Sequence, residues 1–179
     1  MIRSLLVTLC FFFSVHSHAL IIQYDLTQLS ATQYQYNYTF INDGSISSNI
    51  ELFSINFEPT LFNEGSLRPN MSVSVLAEWD VQILSSGPFI PAALDFFAIG
   101  NGLATGESFT GVSIDFEWLG IGSLPSAQVF DVFDAATYDF LGSGNTLAST
   151  RPNPVPAPMT LLLLLPGLYY CFRRRSTRQ

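Results

Sequence analysis

The chain has 179 residues, a net charge of −7, no lysine and 48% hydrophobic composition. All fourteen Asp and Glu lie between residues 20 and 150 with Arg68 as the single base there, so this region carries −13 and repels phosphates and anionic headgroups, which excludes a nucleic-acid role. His16, His18, Cys10 and Cys171 lie outside it, so it lacks the imidazole and thiol of Ser/His/Asp, Cys/His and zinc sites, the amine of Schiff-base chemistry, and any disulfide.

At the N-terminus Arg3 supplies a basic start, residues 5–15 an apolar run, and Ser17-His18-Ala19 small residues at −3 and −1. This order predicts a signal peptide over residues 1–19, cleaved after Ala19 by signal peptidase. Beyond it the period of the pattern is two. Tyr34, Tyr36, Tyr38 and Phe40 alternate with Gln33, Gln35, Asn37 and Thr39, as on a strand with one buried face. Asn42-Asp43-Gly44 then reads as a turn. Phe53, Ile55 and Phe57 oppose Ser54 and Asn56 on a second strand, which Glu58-Pro59 ends.

From Met71 through Val73, Val75, Ala77, Trp79, Val81 and Ile83 a single parity is apolar, predicting a long strand, bent or split near Ala77. Val112, Ile114, Phe116 and Trp118 alternate with Ser113, Asp115 and Glu117 and predict another, closed by Gly120. Weaker strand patterns cover residues 95–99, 129–133 and 138–141, with turn chemistry at Ser85-Ser86-Gly87-Pro88, Gly100-Asn101-Gly102, Thr105-Gly106 and Gly142-Ser143-Gly144. Six to eight strands without an amphipathic helix predict an all-β domain over residues 20–141. Its expected form is an antiparallel β-sandwich, immunoglobulin-like or jelly-roll. Residues 142–154, rich in Gly, Ser, Thr, Asn and Pro, read as a flexible linker.

The chain closes on Val155-Pro156-Ala157-Pro158, an apolar run over residues 159–172, and Arg173-Arg174-Arg175. As a hydrophobic helix that run reaches ~21 Å, short of the ~30 Å hydrocarbon core, and Pro166-Gly167 weakens it further. The basic cluster keeps the terminus cytoplasmic while the acidic domain is exported. The reading is a temporary membrane stop.

In these residues the chain resembles proteins bearing the PEP-CTERM sorting signal of Gram-negative bacteria. Residues 155–179 carry its motif, its apolar segment with Gly167-Leu168, and its arginines, with Ala157 where the family name puts glutamate. The resemblance implies that an exosortase, supplying its own catalytic residues, cuts near Pro156 to Pro158. It also implies an inner-membrane-tethered precursor that reaches the cell surface or extracellular matrix of an exopolysaccharide-producing, biofilm-forming bacterium.

Within the domain, Asp115 and Glu117 share one strand face, where a paired-carboxylate glycosidase site would need its two groups, yet their alternation with apolar residues reads as solvent-facing polarity. Asp131, Asp134 and Asp139 lack the spacing of a calcium loop and read as surface acidity. Trp79, Trp118 and the Tyr34/Tyr36/Tyr38 stripe have the shape to stack on sugar rings, but each lies at the apolar parity of its strand and reads as core. No catalytic residue, metal ligand or cofactor is expected. The expected function is a non-enzymatic envelope or biofilm-matrix protein; the alternative is a lectin-like module that engages exopolysaccharide.

Overall fold

The computed structural model describes residues 20–45 and 48–149. Ala19, Val155, Pro156, Ala157, Pro158, Arg173, Arg174 and Arg175, with the expected signal peptide and hydrophobic helix, lie outside the described residues. The described chain is mostly β. Its strands are β1 (Ile21–Gln28), β2 (Gln33–Ile41), β3 (Leu52–Phe57), β4 (Arg68–Met71), β5 (Trp79–Leu84), β6 (Ala92–Ala98), β7 (Ser108–Glu117), β8 (Val129–Phe133), β9 (Phe140–Asn145) and β10 (Leu147–Ala148). They form two five-stranded sheets, ordered β10-β1-β2-β7-β4 and β5-β6-β3-β8-β9. Every pairing is antiparallel except β1 with β10.

The alternation in β2 does what its period requires: Tyr34, Tyr36, Tyr38 and Phe40 are buried. Phe40 meets Phe53 of β3 at 5.2 Å between ring centroids and Phe96 of β6 at 5.1 Å, so the apolar faces of the two sheets pack on each other. Phe53 and Phe96 stack at 4.5 Å. Trp79 and Phe109 close one end of this aromatic layer at 5.2 Å, and Phe62 with Trp118 the other at 5.1 Å.

The long parity from Met71 to Ile83 is not one strand. Residues Val73–Glu78 form helix α1, and only β4 and β5 on either side are extended. The cause is across the sheet. Between Val112 and Thr110 the pairing of β2 with β7 slips by one residue, which leaves Gly111 as a bulge at φ +93°. The Gly111 carbonyl accepts from the Ser72 amide at 2.8 Å, and the Ser72 hydroxyl then caps α1 by accepting from the Val75 amide at 3.4 Å. A Cβ at Gly111 would lie 2.6 Å from that hydroxyl, so the bulge and the cap require glycine together. Of the helix residues only Val75 is buried, whereas Val73 and Leu76 face solvent.

The expected linker from residue 142 is also corrected. Strand β9 continues to Asn145 against β8, Thr146 is buried, and β10 crosses to the first sheet beside β1. Thr146 is what draws this Gly- and Ser-rich stretch in. Its amide donates to the Gln128 carbonyl at 2.8 Å, and its hydroxyl accepts from the Gln128 amide at 2.9 Å and donates to Gln128 Oε1 at 3.2 Å. Tyr38 donates to the same Oε1 at 3.1 Å, Tyr36 donates to the Ser126 carbonyl at 2.8 Å, and Gln128 Nε2 also donates to that carbonyl. Burial holds the Tyr36 and Tyr38 phenols above their ordinary range, so both remain protonated donors. Strand β1, missed by the sequence pattern above, completes the sheet; its Ile22 and Tyr24 are buried.

Two measurements check this account. Phe96→Ala, which empties the contact between the sheets, is expected to cost about 3–5 kcal/mol by denaturant titration, while Phe89→Ala at an exposed turn changes stability by less than about 0.5 kcal/mol. A chain ending at residue 141 is expected to melt well below one ending at residue 149, because it leaves Gln128 without its Thr146 partner and β8 without β9; equal melting temperatures would restore the linker reading.

Candidate functional site

The carboxylates singled out in the sequence are held apart by separate partners. Asp115 Oδ1 accepts from Gln35 Nε2 of β2 at 2.7 Å, whereas Glu117 Oε2 accepts from Asn63 Nδ2 at 2.7 Å. Asp131 Oδ2 accepts from Asn56 Nδ2 at 2.7 Å. Asp134 closes its own turn, accepting from the Thr137 and Ala136 amides at 2.8 and 2.9 Å, and these bonds lower its pKa. The Asp139 carbonyl accepts from the Asp134 amide in the same turn, so backbone geometry rather than a ligand explains the pair. Among the described residues no three His, Cys, Asp or Glu side chains come together as a metal site. Trp79, Trp118, Tyr34, Tyr36 and Tyr38 are all buried in the core, so none offers a ring face for stacking.

Pairing across the second sheet assembles something no linear motif announces. Gln82, Asp95, Ser54, Asp131 and Ser143 stand opposite one another in successive strands, making one polar row on the face away from the core, with Ser54 at its centre buried. Ser54 sits between the two aspartates and donates to Asp95 Oδ1 at 2.5 Å. Burial raises the Asp95 pKa; the Ser54 bond opposes this and the nearby Asp80 charge adds to it.

The two ends of the packed sheets differ in chemistry. At one end a cleft of about 380 Å³ is lined by Asn49, Glu78, Trp79, Asn101 and Glu107 among others. Asn49 Nδ2 donates to the Asn101 carbonyl at 2.8 Å, and Glu107 Oε2 accepts from the Ala104 amide at 3.2 Å, so the loops at its mouth are tied together. At the other end a cleft of about 290 Å³ is lined by Asn56, Glu58, Leu61, Phe62, Pro91 and Gln128 among others. Neither was legible in sequence, because each gathers loops far apart in the chain. The usable signal was compositional: the loops around the second cleft include three with no charged residue, 29–32, 85–91 and 118–128.

No family model and no curated protein matches the chain. Among solved structures it is similar to the GH20 exo-β-N-acetylglucosaminidase of Vibrio harveyi, as an inactive mutant and in complex with N-acetylglucosamine. The TM-scores are 0.38 and 0.36 at 10% identity, over 74% of this chain. The chain spans 18% of the length of those proteins, and a likeness this slight carries no argument about fold or activity.

The polar row gives a pH prediction. A carboxyl whose folded pKa is raised favours the protonated folded state, so its effect on stability turns unfavourable as pH rises from the ordinary 3.8 through the raised value. Asp95→Asn keeps an acceptor for Ser54 and removes the charge. Its denaturation midpoint is expected to exceed that of the parent at pH 7, with the gain vanishing below the ordinary carboxylate range; a variant less stable at pH 7 would show that the charge is not penalised there.

Proposed function

We propose that this chain is an exported, non-enzymatic protein of the bacterial envelope or biofilm matrix, delivered by exosortase-type processing of its C-terminal signal. The observation that carries the reading is the order Val155-Pro156-Ala157-Pro158, apolar run, Arg173-Arg174-Arg175 at the end of the sequence. Its supports are the Ser17-His18-Ala19 leader pattern, the domain's lack of His, Cys and Lys, and the packing of its candidate aromatics into the core. Signal peptidase and exosortase are the processing partners in this reading. The precursor is held at the inner membrane and the product reaches the cell surface or matrix.

In the same reading the two packed sheets are a sandwich of jelly-roll connectivity. β2 pairs with β7 and β3 with both β6 and β8, while the chain changes sheets six times, from β2 to β3, β3 to β4, β4 to β5, β6 to β7, β7 to β8 and β9 to β10. Nested pairing of strands remote in sequence, with repeated crossing between sheets, favours this topology over the immunoglobulin-like one.

The lectin-like alternative has one specific feature in its favour, the polar cleft with the Asn49 and Asn101 amides beside the Glu78 and Glu107 carboxylates, which are hydrogen-bonding groups of the kind sugar hydroxyls require. Affinity electrophoresis through matrix polysaccharide separates it from the main reading: retardation lost in Asn101→Ala would establish it.

For the sorting reading, intact-mass analysis of the surface or released protein is expected to show a C-terminus near residues 155–158 in wild-type cells, and a chain ending at Gln179 in cells lacking the exosortase. Mature wild-type protein that retains Arg173 to Gln179 would overturn processing.

A further inference from the structure

At the end of the domain opposite the polar cleft, three loops without charged residues are tied in place and present apolar tips. In the β5–β6 turn, Gly87 and Ile90 bond reciprocally through their backbones at 2.8 and 3.4 Å, which puts Pro88 and Phe89 at the apex. Glu64 pins the base of this turn, accepting from the Ser86 amide at 3.1 Å and hydroxyl at 2.5 Å. Phe89 is 98% exposed and Ile90 68%. The β7–β8 loop is fixed just as firmly. Trp118 Nε1 donates to the Ser123 carbonyl at 2.8 Å, the Leu119 amide donates to Leu61 at 2.8 Å, and a Cβ on Gly120 would lie 2.6 Å from the Trp118 ring. Curled over that indole, the loop holds Ile121 out at 100% exposure, with Leu124 at 66%. The β1–β2 turn joins them, since the Trp118 amide donates to the Thr32 carbonyl at 2.8 Å and Leu29 is exposed beside it. Loops that could fold an isoleucine and a phenylalanine inward instead hold them in water, and water is a poor environment for both.

Charge is distributed to match. The loops 29–32, 85–91 and 118–128 contain no ionisable residue, while the β3–β4 connection at the same end carries Glu58 and Glu64, with Arg68 and Glu117 at the adjoining strand ends. Glu64 and Glu117 are already engaged by Ser86 and Asn63. Asp43, Glu51, Glu78, Asp80, Glu107, Asp134 and Asp139 all lie toward the other end, so the exposed Val73, Leu76 and Ile99 there stand among carboxylates. The route of the chain points the same way. β10 runs parallel to β1, with Leu147 opposite Gln23 and Ala148 opposite Tyr24, and so heads toward the end that bears the uncharged loops. From there β1 continues only to Gln28, roughly 13 Å, while the nine residues 150–158 span up to about 30 Å before the apolar run begins.

We propose that the three uncharged loops at this end form a lipid-facing surface, which lays Phe89, Ile90, Ile121 and Leu124 into the interface of a zwitterionic bilayer while the precursor is tethered. The inference rests on the membrane-held precursor of the sorting reading and adds the orientation of the domain. Uncharged loops suit zwitterionic headgroups, and holding seven of the fourteen carboxylates at the far end keeps half of the acidic charge away from the surface that the domain touches.

The test uses the full-length chain with Cys10 and Cys171 changed to serine, and single cysteines introduced as Phe89→Cys, Ile121→Cys or Ile99→Cys to carry an environment-sensitive fluorophore. Reconstituted into phosphatidylcholine vesicles, the probes at 89 and 121 are expected to shift to the blue and to be quenched by nitroxide-labelled lipid, while the probe at 99 stays accessible to aqueous iodide. Exposed apices tolerate aspartate, so Phe89→Asp with Ile121→Asp is expected to abolish the shift of a probe placed at Leu124→Cys without loss of co-flotation through the tail. Co-flotation with all probes equally wet would overturn the lipid-facing surface and leave the sorting reading intact. Failure to co-float would overturn both, and a blue shift that needs no vesicles but grows with protein concentration would assign the surface to a second copy of the chain instead.

Discussion

Everything in this domain hangs on the contact of Phe40, Phe53 and Phe96 between the two sheets. With no cysteine between residues 20 and 150 there is no covalent staple, so burial of aromatic surface must offset the conformational entropy of ordering ten strands. Aromatic side chains suit this role because each removes a large area from water with few torsions to fix. The ring contacts run from Trp118 and Phe62 at one end of the layer to Trp79 and Phe109 at the other, and both tryptophans serve as end plates rather than as ligand platforms. A fold that uses its tryptophans and all three β2 tyrosines internally leaves recognition to surface amides, carboxylates and exposed apolar side chains such as Phe89 and Tyr138.

The same layer explains why polar groups are admitted to the interior at one place. Tyr36 and Tyr38 are too long to end inside the apolar layer, so their hydroxyls reach Ser126 and Gln128 at the start of β8. Gln128 in turn requires Thr146, and among the described residues no buried side-chain nitrogen or oxygen is left without a partner. A buried network of this kind is stabilising only when complete. Its completion recruits β9 and β10 to the two sheets.

The two ends of the packed sheets divide labour. One carries acids and amides in tied loops, the other uncharged loops with apolar tips, and the polar row around the buried Ser54 lies on the second sheet's face away from the core. In the proposed reading a domain polarised in this way stands at a boundary, with the acidic end toward water and the apolar tips toward a less polar surface.

How much was legible follows from the range of each interaction. The alternation in β2, β3 and β7 was readable because burial on one face acts on every second residue of the strand itself, and the core roles of Trp79, Trp118 and the tyrosines followed from the same parity. Helix α1 was not, because its cap depends on a bulge at Gly111, some forty residues away, and the local parity of Val73 and Val75 is equally apolar in either state. Strand β9 was legible only at its start, within the weak pattern over 138–141, because glycine and serine beyond it carry no strand signal and their pairing is imposed by β8 and the anchoring of Thr146. The sequence by itself determined the period-two core, the lopsided charge and the chemistry missing from the domain, since these depend on residue identity and near neighbours. Only the tertiary structure decided where Asp95, Ser54 and Asp131 meet, where the domain ends, and that three uncharged loops share one end, since strand pairing brings together residues that the chain keeps apart.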